Sequence, residues 1–72
     1  MIITVNTLLQ LCKEQVREGN GNKKIFISKD DEGNGFHGLY YGFTTDQNDI
    51  KLYASQIMMY KGDSIEDIVL LG

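Results

Sequence analysis

The sequence predicts an α+β domain: a three-stranded, mainly antiparallel sheet, an N-terminal helix packed on one face, and a second short helix before the last strand. Three observations carry that expectation. An amphipathic stripe opens the chain, an Asn34-Gly35 pair separates two β-branched and aromatic runs, and four consecutive apolar residues, Ile68 through Leu71, stand near the end.

The first element starts at Thr4, an N-cap candidate because its hydroxyl can accept from a free helix N–H. Ile3 and Leu8 flank it at the spacing of a hydrophobic staple. Val5, Leu8, Leu9, Cys12 and Val16 then recur at helical spacing, while Gln10, Lys13, Glu14, Arg17 and Glu18 lie off the stripe. Gly19 or Gly21 ends the helix through a left-handed residue, with Arg17 placed to favour the C-terminal dipole. Cys12, on the stripe with no second cysteine in the chain, reads as a small core residue.

Residues 23–28 form the first expected strand, with Ile25 and Ile27 on one face and Phe26 and Ser28 on the other. The acidic, glycine-rich stretch 30–38 follows. Asp30, Asp31 and Glu32 repel one another and belong in water, so the stretch reads as a solvated hairpin loop with Gly33 as a further permissive position. A sharper reading takes Asp30, Glu32, Asn34 and Gly35 as the first half of a calcium loop, with Phe36 offering a carbonyl. The pattern stops there, because Tyr41 stands where the bidentate Glu belongs and no helix pair flanks it.

The second expected strand, residues 36–44, puts Phe36, Gly38 and Tyr40 on one face and His37, Leu39, Tyr41 and Phe43 on the other. Both faces of the hairpin are apolar. One helix covers only one of them, so the other needs a further element or a partner. Thr44-Thr45-Asp46 supplies cap candidates, Thr44 and Gln47 have capping-box spacing, and Ile50, Tyr53, Ala54, Ile57 and Met58 suggest a helix over residues 46–59. Lys61-Gly62-Asp63-Ser64 turns the chain, and the closing apolar run reads as a protected strand.

Asp31-Glu32-Gly33-Asn34-Gly35-Phe36-His37 resembles a motif, D-E-G-N-G-aromatic-basic, of small uncharacterised bacteriophage and prophage proteins. Ile3-Thr4-Val5 before a short helix and the closing Asp67-Ile68-Val69-Leu70-Leu71-Gly72 share the resemblance, while residues 46–63 do not. The resemblance implies phage origin and a small α+β fold. It transfers no catalytic or binding residue.

Composition narrows the functional classes. The chain of 72 residues is expected to be one domain, residues 1–72, with modest stability of its own. The net charge of −3 and only seven Lys and Arg disfavour a phosphate-binding surface, and no nucleic acid is expected as partner. One cysteine, no basic start and no long apolar run point to a cytoplasmic protein without a signal peptide or membrane span, in the host cytoplasm if phage-encoded. His37, the only histidine, has no adjacent nucleophile, and no Cys/His ligand spacing exists, so neither catalysis, cofactor nor metal is expected.

What remains is a set of interaction residues: Asp30, Asp31, Glu32, Asn34, Phe36, His37, Tyr40 and Tyr41. All seven aromatic residues fall between Phe26 and Tyr60, which is hard to bury in so small a chain. The expected function is non-enzymatic binding of a host or phage protein, inhibiting a host process or defence system. The alternatives are a small-ligand or divalent-cation module on the acidic loop, and a self-assembling protein such as a homodimer.

Overall fold

A computed structural model describes residues 2–72. It is α+β, with one long helix and short antiparallel strands in two small sheets. Helix α1 spans Val5–Arg17. Thr4 caps it as expected, its Oγ1 accepting from the Thr7 N–H at 3.2 Å. Gly19 follows the helix with φ of 89°, a left-handed conformation that closes the last turn at little steric cost.

Strands β1 (Phe26–Ser28) and β2 (Phe36–Gly38) form the expected hairpin, in the register Phe26 to Gly38, Ile27 to His37 and Ser28 to Phe36. The second expected strand does not run on to residue 44 beside β1. The Leu39 N–H still bonds the Ile25 carbonyl at 3.0 Å, but Gly42 turns to φ of 86° and breaks the extended run. Beyond it β3 (Phe43–Thr44) pairs antiparallel with β4 (Leu70–Leu71). The final strand thus lies beside the distal half of the expected second strand. The strands pair two by two instead of forming one three-stranded sheet. Tyr41 and Gly42 donate to the Gly72 carbonyl at 2.8 and 3.0 Å, and Gly72 donates back to Gly42. These bonds lock the switch point in place.

The second helix is shorter than its apolar spacing suggests. Helix α2 covers Gln47–Leu52, and a 3₁₀ turn, Ala54–Gln56, replaces the rest. Of the three cap candidates Asp46 takes the position, its carboxylate accepting from the N–H groups of Asn48 and Asp49 at 2.9 and 3.2 Å. Met59 sits off the apolar face, so a helix extended to it would gain no burial there. The turn around Gly62, at φ of 92°, and a second 3₁₀ turn, Ile65–Asp67, lead into β4.

Packing is concentrated in the C-terminal half. Ile50 on α2 is the one fully buried hydrophobic residue among the described residues, and α2 rests against the Ile65–Asp67 turn. Half-buried Ile57, Ile65, Ile68, Leu70 and Leu71 occupy the same half of the chain. Helix α1 is not seated in the same way. An open gap of about 750 Å³ separates residues 2–6 and Leu8 from Ile27, Phe43 and residues 67–69. Close-packed interiors seldom leave voids larger than a water molecule, so this side of the helix is apposed to the sheets without filling the space. Cys12 is exposed, a correction to its reading as a core residue. The stripe it belongs to has only Leu8 turned far enough inward to be half-buried.

Candidate functional site: the acidic loop and aromatic face of the hairpin

The hairpin loop is built on Asp30. One carboxylate oxygen, Oδ1, accepts from the N–H groups of Glu32 and Asn34, both at 3.0 Å. This is the Asx geometry in which an aspartate mimics a backbone turn, and it frees Gly33 to sit at φ of 72°. The Ser28 hydroxyl donates to the Asp30 carbonyl, and the Lys29 N–H donates to the Gly35 carbonyl at 3.0 Å. The Asn34 amide donates to Glu32 Oε2 at 3.3 Å. The bond from the Asn34 N–H, followed by its side-chain amide and the N–H groups of Glu32 and Gly33, favours the ionised form. Asp30 is thereby held below the ordinary aspartate range, against a smaller opposing effect of desolvation.

Those bonds also decide what the loop presents. Asp30 and Glu32 are each engaged by the loop's own N–H groups. Among the described residues no three His, Cys, Asp or Glu side chains converge as a metal ion would need. Asp31 points no carboxylate into the loop's hydrogen-bond set and is exposed. The loop is therefore a preformed acidic knob with fixed backbone.

Beside the knob lies an aromatic face. The β1–β2 register puts Phe26 opposite Gly38 and Ser28 opposite Phe36, so all four share one side of the ribbon. Tyr40 joins that side: its ring covers Gly38, where a Cβ would stand 3.2 Å from the ring carbon Cζ. An aromatic ring over a strand glycine supplies the contact that glycine lacks. Yet Phe36 is 66 % exposed and Tyr40 80 %. Tyr41 packs its ring 6.4 Å from that of Tyr40, tilted by 53°, and is 92 % exposed.

The interaction residues expected from the sequence thus fall into three groups. Asp30, Glu32 and Asn34 are knitted into one loop, with Asp31 beside them. Phe36, Tyr40 and Tyr41 form the aromatic end of the hairpin. His37 is separated from both: it pairs with Ile27 on the opposite side of the ribbon, and its Nδ1 lies 3.0 Å from the Gly38 carbonyl. Sequence reasoning left Phe26 outside this set. Its place depends on register, which the loop sets by turning at Asp30–Gly33, with Gly33 and not Asn34 or Gly35 in the left-handed conformation.

Comparisons with protein-family models, with curated proteins and with solved structures each give no match. No helix among the described residues is long and apolar enough to cross a membrane.

Proposed function

We propose that this chain is a non-enzymatic accessory protein of phage type. It acts in the cytoplasm by binding another protein with the hairpin end of the molecule, so as to block a host process or defence system. The observation that carries this reading is unburied surface, with Phe26, Phe36, Tyr40 and Tyr41 among the exposed side chains. The chain exposes 6455 Å². A compact chain of its mass exposes about 4,500 Å². The difference exceeds the roughly 800 Å² that each partner contributes to a standard interface.

The hairpin end has the composition of a recognition patch. Phe26, Phe36, Tyr40 and Tyr41 offer large contact area with few rotatable bonds, and they are carried on a hydrogen-bonded ribbon. The acidic knob at its tip suits a partner with a basic groove. Its charges speed encounter more than they deepen the final well, so binding should weaken as salt rises.

Affinity capture from host lysate tests the reading with three baits: wild type, Phe36→Ser with Tyr40→Ser, and Asp30/Asp31/Glu32 reversed to Lys. The expected result is a partner retained by wild type, lost with the aromatic pair and slowed by charge reversal. Identical recovery by all three baits contradicts it.

A further inference from the structure

Each strand of the β1–β2 ribbon keeps one free edge, because β4 pairs with β3 and not with β1. The ladder shows which groups those edges present. The Leu39 N–H bonds the Ile25 carbonyl and the Lys29 N–H bonds the Gly35 carbonyl, each at 3.0 Å. Both bonds fit the register that pairs Ile27 with His37. In an antiparallel ladder, hydrogen-bonded pairs alternate with pairs whose N–H and C=O groups point away from the neighbouring strand. Ile25, Ile27 and Lys29 therefore turn their backbone groups inward, and Phe26 and Ser28 turn theirs outward. Among the described residues, these outward groups make no backbone bond beyond the ribbon.

The two edges differ. On β2 the Gly38 carbonyl faces His37 Nδ1 at 3.0 Å, and the Tyr40 ring stands over Gly38. On β1 the edge is open. Phe26 is 63 % exposed, and Phe26-Ile27-Ser28 contains neither the lysine nor the proline that blunts an exposed edge. The grooves beneath α1 reach Ile25 and Ile27, on the other side of the ribbon, and not Phe26 or Ser28. A two-stranded ribbon is marginal in water, and a third strand is a common way to stabilise it.

We infer that the protein bound by the hairpin supplies an extended segment that adds to the free edge of β1 as a third, antiparallel strand, with basic residues before its paired stretch and acidic residues after it. This rests on the reading of the hairpin end as a protein-binding patch and names the form its partner takes there. The unpaired groups are two N–H and two C=O in extended register, which another extended backbone meets together. Phe26 and Ser28 also carry side chains of the aromatic side. A strand bonded to them therefore lays alternate side chains beside Phe26 and toward Phe36 and Tyr40.

Charge sets the order of the segment. Lys23 and Lys24 precede the edge, and Asp30, Asp31 and Glu32 follow it. Lys29, the basic residue at the acidic end, lays its side chain over Gly35 toward β2, where a Cβ would stand 3.1 Å from its Cε. An antiparallel strand that is basic first and acidic last sets each charge beside its opposite. Two copies of β1 pairing with each other would meet over three residues only, because each chain leaves the line of the strand at the Asp30 turn. That contact falls far short of the roughly 1,200 Å² of a stable complex. A longer foreign segment continues over the aromatic side and the knob.

The test titrates the isotope-labelled full chain with two capped synthetic peptides, to a few millimolar, the affinity range of a short strand alone. One is Lys-Lys-Thr-Val-Thr-Val-Thr-Glu-Glu, and the other exchanges its basic and acidic ends. Expected are saturable binding of the first, solvent exchange slowed at the Phe26 and Ser28 amides, and affinity about tenfold or more lower for the second. Ser28→Pro removes one outward N–H and leaves the inward ladder, a position where an edge strand tolerates proline, and should weaken binding about tenfold or more. Ser28→Ala loses the hydroxyl bond to Asp30 and keeps the N–H, so its affinity should stay within about threefold.

Absence of saturation overturns the inference. So do equal affinity for the two peptides, protection at Phe36 and Gly38 or along α1, and unchanged binding by a folded Ser28→Pro variant. Protection of Phe26 and Ser28 that grows with protein concentration without peptide assigns the edge to a second copy and overturns it too. Should Ser28→Pro unfold, exchange in the wild-type chain still decides. Lysate capture separates this inference from the reading beneath it. A partner lost with the aromatic pair but kept by Ser28→Pro preserves the patch and removes the added strand. Peptide binding as expected, with no aromatic-dependent partner in lysate, preserves the strand edge and removes the host-protein reading.

Discussion

At the residue scale, Asp30 shows how one side chain organises a loop. Its Oδ1 accepts two N–H groups that a loop of this shape would otherwise leave to water. The carboxylate is favoured in the folded loop, so its folded pKa lies below the unfolded one. The contribution to loop order is then complete above the unfolded aspartate value and is lost as pH falls through the depressed folded value. An NMR titration should show the amides of Glu32 and Asn34 moving together with an apparent pKa below that of ordinary aspartate. Movement at the ordinary value, or independent movement of the two amides, contradicts the geometry. The role of Asp30 as a loop residue was legible in the sequence, because Asp two and four residues before an N–H-rich turn is a familiar local solution. That its carboxylate would be directed at the loop backbone and not at a cation was not legible, since the same residues at the same spacing begin both patterns.

At the scale of elements, local signals read well and partner choice did not. Thr4, the α1 stripe, Arg17 and Gly19 are signals of one helix, and the structure follows them in its bounds though not in the packing of the stripe. The β1–β2 hairpin forms between the two runs that the Asn34-Gly35 signal separates, but its turn is Asp30–Gly33, with Gly33 as the left-handed residue. The split of residues 36–44 between two sheets depends on Gly42, whose positive φ cannot be inferred without knowing that Gly72 bonds there. The early end of α2 is likewise tertiary: α2 rests against the Ile65–Asp67 turn, and burial there overrides helical spacing.

That packing sets a prediction for α2. Ile50 is 0 % exposed, and its replacement by alanine removes the centre of the only closed packing in the described chain. Ile50→Ala should cost about 2–5 kcal/mol, whereas Asp46→Ala, which removes only the cap, should cost about 1 kcal/mol. Urea unfolding followed by circular dichroism ranks the two. Equal effects would mean that α2 is held by its cap and not by its buried face.

At the scale of the whole molecule, the chain is expanded. Its radius of gyration is 13.7 Å, against about 11 Å for a compact chain of this length. The sequence already implied this shortfall, because both hairpin faces are apolar and one amphipathic helix cannot cover them. What it did not show is that α1 leaves its own stripe largely in solvent, so that two apolar surfaces are free instead of one. A polypeptide with a single buried hydrophobic residue among those described gains little by folding alone, since ordering each residue costs about 1–2 kcal/mol. We therefore propose that its burial is completed on other chains.

The most direct test of that claim is urea unfolding of the purified protein at a series of concentrations of the basic-to-acidic peptide, under reducing conditions. If folding is coupled to association, the midpoint rises with peptide concentration, because mass action stabilises only the associated folded state. A sharp, cooperative transition with the same midpoint at every concentration would describe a self-sufficient monomer and contradict the account.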